Sequence, residues 1–269
     1  VGTSSHIRVV AALPARYASS RFPGKPLADM LGKPLIQHAH EAASQVPGVD
    51  RVVVATDDER IFKVVEEFGG EVVLTGSHHA SGTDRLAELA ERYPADVYVN
   101  IQGDEILREP AMLAPLIQNF RDDPALMVGT VCHPITDLAD LANPNVVKVV
   151  LDHHQRALYF SRAEIPFRRE RGEPFEAGCF FRHFGVYVFR RAALRAFPDL
   201  PASPLEQIEK LEQLRFLQAG YTIKVLVTEH SAWRVDTPGD LEQAVREMAE
   251  SRAEKGDFMG SMGYQRGTG

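Results

Sequence analysis

In the first half of the chain, short β-branched runs alternate with amphipathic stretches, and few architectures accommodate that rhythm. The runs at 7–13, 51–56, 72–75 and 97–101 read as strands, and the segments 34–46, 59–68 and 83–93 between them read as helices. Strand and helix in strict succession predict an α/β fold, with a central, mainly parallel sheet flanked by helices. The second half adds strands at 127–133, 146–151, 157–161, 184–189 and 221–228 with less regular helix between them, so the sheet is expected to be mixed and to carry a smaller β-rich insertion. At 269 residues one domain of this kind is expected to span 1–255.

Two helix starts are marked chemically. Ser203-Pro204-Leu205-Glu206 is a capping box with proline at the first helical position, predicting a helix over 203–218; Thr237-Pro238-Gly239-Asp240 repeats the device with Asp for Glu. The segment 167–178, rich in Arg, Glu, Gly and Pro, reads as a mobile loop or a linker. The glycine-rich stretch 256–269 reads as a disordered tail.

Composition removes several classes of function. With 37 acidic against 30 basic residues the net charge is −7, which argues against a general grip on nucleic acid. Two cysteines, Cys132 and Cys179, neither make a disulfide scaffold nor show zinc spacing, and a reducing, cytoplasmic setting fits them. No apolar run approaches a spanning helix and no signal-peptide core is present, so no membrane insertion is expected.

Chemistry concentrates after the first strand. Between Leu13 and Leu27 the chain carries Arg16, Arg21 and Lys25 with the hydroxyls of Ser19 and Ser20, at the sheet edge where open α/β folds place ligands. Arginine forks and a lysine point charge together suit a polyphosphate, although neither a Walker loop nor a GxGxxG turn is present. The plain alternative is a solvated basic loop. A second strand ends in Gln102-Gly103-Asp104, delivering a carboxylate to the same edge. An Asp beside a triphosphate is repelled unless a divalent cation intervenes, and Mg²⁺ takes one or two carboxylates with phosphate oxygens. Asp236 is the second carboxylate in a comparable setting; its alternative role is to favour the helix start that follows it.

Ser81-Gly82-Thr83-Asp84-Arg85 opens a helix and either reads a base edge or carboxylate, or is a simple cap with a surface arginine. Glu212 and Gln213 fall on a helix whose polar residues otherwise form its wet face. His183 is a strand histidine that suits a structural role as well as a binding one.

These segments, taken in order with Asn143-Pro144-Asn145-Val146-Val147-Lys148, Tyr159-Phe160-Ser161-Arg162-Ala163, Leu211-Glu212-Gln213-Leu214-Arg215 and Val235-Asp236-Thr237-Pro238, resemble the 3-deoxy-manno-octulosonate cytidylyltransferases from about residue 8 to 245. The resemblance implies a GT-A-like nucleotidyltransferase fold, a nucleotide half at about 1–125 and a sugar-acid and dimerisation half at about 126–255. It implies a homodimer that joins CTP to the 3-deoxy-ulosonic sugar acid Kdo, giving CMP-Kdo and pyrophosphate for lipopolysaccharide assembly. Carried over, Arg16, Lys25 and Asp104 are catalytic. Leu13, Arg16, Ser20, Arg21, Lys25, Ser81 and Gln102 bind nucleotide. Arg85, Gln102, Arg162, His183, Tyr187, Glu212 and Gln213 bind the sugar acid, and Asp104 and Asp236 bind Mg²⁺.

The chain departs from that pattern at Ile106, where proline is usual, and at Trp233-Arg234, where a small residue is usual. Those departures leave open a modified acid such as 8-amino-Kdo, or a more anionic one. A sialic-acid-type cytidylyltransferase is disfavoured by Lys25-Pro26-Leu27, a GT-A glycosyltransferase by the lack of an Asp-x-Asp motif at Gln102-Gly103-Asp104, and a non-catalytic nucleotide sensor by retention of Lys25, Asp104 and Asp236.

Overall fold

Val9-Val10-Ala11-Ala12-Leu13-Pro14-Ala15 forms the first strand, β1 (Val9–Ala15), and all of it is buried. A strand covered on both faces needs no polar alternation, which is why its sequence is a continuous apolar run. Val9, Ala11 and Leu13 pack in one core and Val10 and Ala12 in another, so β1 separates two hydrophobic layers. The computed structural model describes residues 7–19, 21–79, 81–169, 178–230 and 232–262.

From β1 the chain makes the short pair β2 (Asp29–Met30) and β3 (Lys33–Pro34), then α1 (Leu35–Ser44), β4 (Arg51–Thr56), α2 (Glu59–Glu67), β5 (Glu71–Leu74), α3 (Gly82–Arg92) and β6 (Val97–Asn100). There follow β7 (Glu105–Leu107), α4 (Ala114–Asp122), β8 (Val128–Pro134), α5 (Leu138–Ala142), β9 (Lys148–Leu151), β10 (Ala157–Ser161) and β11 (Phe181–Arg190). The last elements are α6 (Arg191–Ala196), α7 (Pro204–Glu209), α8 (Gln213–Gln218), β12 (Ile223–Val227), β13 (Ala232–Arg234) and α9 (Pro238–Met262).

The sheet is mixed, in the order β10-β9-β11-β6-β1-β4-β5, with β8 and β12 joined through β11. β1 runs parallel to β4 and β6, and β4 parallel to β5. β11 reverses direction and is shared: Tyr187 to Arg190 pair with β6, while Phe181 and Arg182 pair with β9 on the same edge. Residues 183–186 lie between those two registers, and there the sheet opens into a cleft.

Two expectations are corrected. The helix predicted over 203–218 is two helices: Lys210 adopts a left-handed conformation (φ 55°) that closes α7, and α8 restarts at Gln213. The stretch 256–269 was expected to be without structure, yet α9 continues to Met262, because a helix already nucleated by the Thr237–Asp240 cap propagates cheaply through Ala253-Glu254-Lys255. Residues 263–269, and residues 170–177 of the expected loop, lie outside the described residues.

Among the described residues no helix is long and apolar enough to cross a membrane.

Candidate active site

The loop after β1 takes its shape from Gly24 and Tyr17. Gly24 is left-handed (φ +73°), its N–H donates to the Tyr17 carbonyl at 2.9 Å, and an added Cβ would meet the Tyr17 ring at 3.0 Å. The guanidinium of Arg60 covers the same ring at 3.3 Å from its centroid. Held this way, the loop turns Lys25 back to the end of the sheet.

There Lys25 Nζ donates to Asp104, to the Val235 carbonyl at 3.1 Å and to Asp236 Oδ1 at 3.4 Å. The two carboxylates, 132 residues apart by their numbers, thus meet around one ammonium. Two local features bring them there. The Gln102-Gly103-Asp104 turn is tied to β1 by Gly103 N–H to Pro14 O at 3.1 Å; a Cβ at Gly103 would press on that oxygen at 3.0 Å, so glycine favours the close approach. Next, β7 and β13 pair as an antiparallel ribbon with Glu105 opposite Arg234, and Val235 N–H donates to Asp104 O at 3.0 Å. Asp236 is further bound by Arg21 Nη2 at 3.0 Å and Arg234 Nε at 3.1 Å.

A cleft of 400 Å³ opens on one side of Asp104, walled by Arg16, Arg21, Lys25, Ser19, Ser81 and Gln102 among others. Arg16 Nη2 donates to His79 O at 2.9 Å. Burial and the neighbouring Arg85 hold the Arg16 guanidinium below its usual range, the signature of a cation in need of an anion. Ser81 caps α3 in a reciprocal box with Asp84.

A second cleft of 330 Å³ shares Gly82, Gln102 and Asp104 with the first and is walled by Arg162, His183, Tyr187, Glu212 and Gln213. The break between α7 and α8 is what presents Glu212 and Gln213 to it. Burial raises the Glu212 carboxyl and the Tyr187 hydroxyl, and pushes His183 down to about 3, with Arg234 adding to the last effect. The Tyr187 hydroxyl, Glu212 Oε2 and Gln213 Nε2 are buried without a hydrogen-bond partner. Unsatisfied polar atoms gathered at one cleft mark a site built for a polar ligand.

Two sequence expectations end elsewhere, and a third falls on a residue that is not described. Arg85 lines neither cleft: its side chain is wholly buried, donating to Thr75 Oγ1 and to Asp57 Oδ2 at 2.8 Å, because the ends of β4 and β5 close over that face of α3. Leu13 is buried in the core below the first cleft. Ser20 lies outside the described residues. Conversely, Glu105, Asn145, Arg182, Lys210 and Arg234 line the second cleft without having been singled out as ligands. Glu105 is the most unusual of these, 3% exposed and pushed up to about 7 by burial, which outweighs Arg234. Its signal was its place directly after Asp104, but only the ribbon shows which way it turns.

Two hard carboxylate oxygens converging beside a cationic cleft suit a magnesium-like ion, which needs no third protein carboxylate. Among the described residues His, Cys, Asp and Glu form no group of three that would hold a metal by protein ligands alone.

A family model described as Cytidylyltransferase matches residues 10–224. The 3-deoxy-manno-octulosonate cytidylyltransferase of Syntrophotalea carbinolica is 51% identical, over 87% of this chain and 95% of its own. The Escherichia coli enzyme of the same name is 47% identical over 92% and 98%. A solved structure, the CMP:2-keto-3-deoxy-manno-octonic acid synthetase complexed with CTP, superposes with a TM-score of 0.85 at 46% identity, covering 91% of this chain and 99% of that one. A putative glucose-1-phosphate thymidylyltransferase from Bacillus anthracis, 15% identical over 89% of this chain and 94% of its own, shares the fold at a TM-score of 0.61. With a family model matching residues 10–224 and relatives 47% and 51% identical over 92% and 87% of its length, the chain belongs to the 3-deoxy-manno-octulosonate cytidylyltransferase family.

Proposed function

We propose that the chain transfers the CMP unit of CTP to the anomeric hydroxyl of the 3-deoxy-ulosonic acid Kdo, giving CMP-Kdo and pyrophosphate. The observation that carries this reading is the meeting of Asp104 and Asp236 where a cationic cleft joins a cleft of unpaired polar groups. The names of the relatives and the CTP bound to the solved neighbour supply the substrates.

Arg16, Arg21 and Lys25 take the triphosphate. As the leaving group separates, charge builds on its oxygens, and cations fixed beforehand stabilise that state more than the ground state. Arg162, His183, Tyr187, Glu212 and Gln213 receive the hydroxyls of the acid, and Gln102 reaches both ligands from the shared wall. Asp104 and Asp236 would hold Mg²⁺. When bound, that ion polarises the α-phosphoryl oxygen and lowers the pKa of the attacking hydroxyl. The anomeric oxygen bonds to the α-phosphorus as the bond to the α,β-bridging oxygen breaks; the hydroxyl proton leaves to solvent and the electron pair leaves with pyrophosphate. Adjoining clefts make this step effectively unimolecular.

The same reading takes the chain to be one nucleotidyltransferase domain acting as a homodimer in the cytoplasm. The free thiols of Cys132 and Cys179 suit that compartment, and the edge strand β10 suits a second copy.

The test offers purified protein CTP, UTP, GTP or ATP with Mg²⁺ and a panel of Kdo, 8-amino-Kdo and a sialic acid while pyrophosphate is measured. Release is expected with CTP and Kdo, lowered about 10³-fold by chelation or by Asp104→Ala. Turnover that requires a nucleotide sugar would instead make the chain a glycosyltransferase.

A further inference from the structure

Lys148 is fully buried at the start of β9, yet it does not line the second cleft. All three donors of its ammonium are used on backbone carbonyls: Asn143 O at 2.9 Å, Val146 O at 2.7 Å and Arg162 O at 2.6 Å. These acceptors belong to two segments, the loop before β9 and the end of β10, which supply Asn145, Val146 and Arg162 to the cleft wall. The segments are also joined directly, since Arg162 Nη1 donates to Pro144 O at 3.0 Å. Three inward-facing carbonyls at one point repel one another and cost free energy if left unpaired; a cation resolves both problems, and a neutral apolar side chain resolves neither. Burial, and Arg162 next to it, lower the Lys148 pKa, a cost that the three carbonyl contacts oppose.

We propose that Lys148 is a positioning residue for the sugar-acid cleft, clamping the two segments that carry Asn145 and Arg162 without touching the ligand. This rests on the reading of the second cleft as the sugar-acid site, and the experiment separates the two.

Steady-state kinetics and amide hydrogen exchange are measured on wild type, Lys148→Met and Lys148→Gln. The Met variant is expected to raise KM for the sugar acid at least tenfold, while KM for CTP stays within twofold and kcat at saturating acid within threefold. The Gln variant, with two donors for three carbonyls, is expected to fall between. Exchange is expected to quicken in residues 143–147 and 162–164, not in β1 or α1. A KM rise shared equally by CTP and acid, unchanged kinetics, unchanged exchange, or a Gln variant that fails to fold would each overturn the proposal. If wild type shows no turnover with any sugar acid, the reading of the cleft fails, and the exchange pattern still decides whether Lys148 clamps these segments.

Discussion

His183 shows how one half-buried side chain acquires a fixed role. Its ring packs against Phe160 at 5.0 Å and Tyr187 at 5.3 Å, and its Nε2 lies 2.9 Å from Thr130 Oγ1. The threonine hydroxyl donates its proton to Val186 O at 2.7 Å, so it accepts from Nε2–H. That leaves Nδ1 with a lone pair, an acceptor for a sugar hydroxyl rather than a charge for a carboxylate. With the folded value pushed down to about 3 by burial and Arg234, the imidazole is expected to stay neutral from pH 8 to 5, seen as unchanging ring resonances in NMR titration. The folded chain binds fewer protons here than the unfolded one, whose histidine titrates near 6.5. Stability from this residue is therefore complete above pH 6.5 and is lost as the pH falls toward 3, by up to about 1.4 kcal/mol per pH unit. A ring that titrates near 6.5 in the folded protein would sink this account.

At the scale of elements, the break between α7 and α8 decides what the second cleft contains. Glu206 on α7 grips Arg215 on α8 through two bonds of 2.6 and 2.7 Å, and Glu209 accepts from Ser161 Oγ at 2.6 Å and Arg162 N–H at 2.9 Å. Glu206→Ala leaves a mostly buried guanidinium unpaired. It is expected to cost about 2–4 kcal/mol in a denaturant melt, and to raise KM for the acid several-fold with KM for CTP unchanged. An unchanged melt would show that the brace contributes nothing. Nothing in Glu206 to Arg215 marks this break locally, since Lys210 is a good helix former; tertiary contacts from β10 impose it. The β7–β13 ribbon was hidden for a related reason: three-residue strands carry little periodicity, and their pairing is non-local. In that register the two departures from the family pattern, Ile106 and Trp233, face each other, and Trp233 Nε1 donates to Glu247 on α9 at 2.9 Å, so they form one feature. By contrast, β4 and β10 stand at their expected bounds, and the cations and carboxylates of the first cleft gather at the sheet edge where strand polarity puts them. Arg85 was misread because helix spacing says which residues share a face, not that Asp57 and Thr75 arrive from other strands to bury it.

For the whole molecule, the open question posed by the sheet is what covers its β10 end. Among the described residues β10 itself pairs with β9, with a single bridge from Arg156 to Lys224 of β12 just before it; Leu158 is 61% exposed, and Ile208, on the helix tied to β10 through Glu209, is 78% exposed. A free edge strand with exposed apolar side chains invites pairing with another chain, and two-fold symmetry satisfies both copies with one surface. Light scattering on the purified protein is expected to give twice the 29.8 kDa chain mass. Replacing Leu158 and Ile208 together by Glu places four like charges in a two-fold interface, and is expected to return the mass to that of one chain with the circular dichroism unchanged. Because β10 also carries Ser161 into the wall that holds Arg162, the monomeric variant is expected to bind the acid more weakly while keeping its affinity for CTP. A wild-type protein that is fully active at the mass of one chain, or a double variant that remains dimeric, would place the interface elsewhere or remove it.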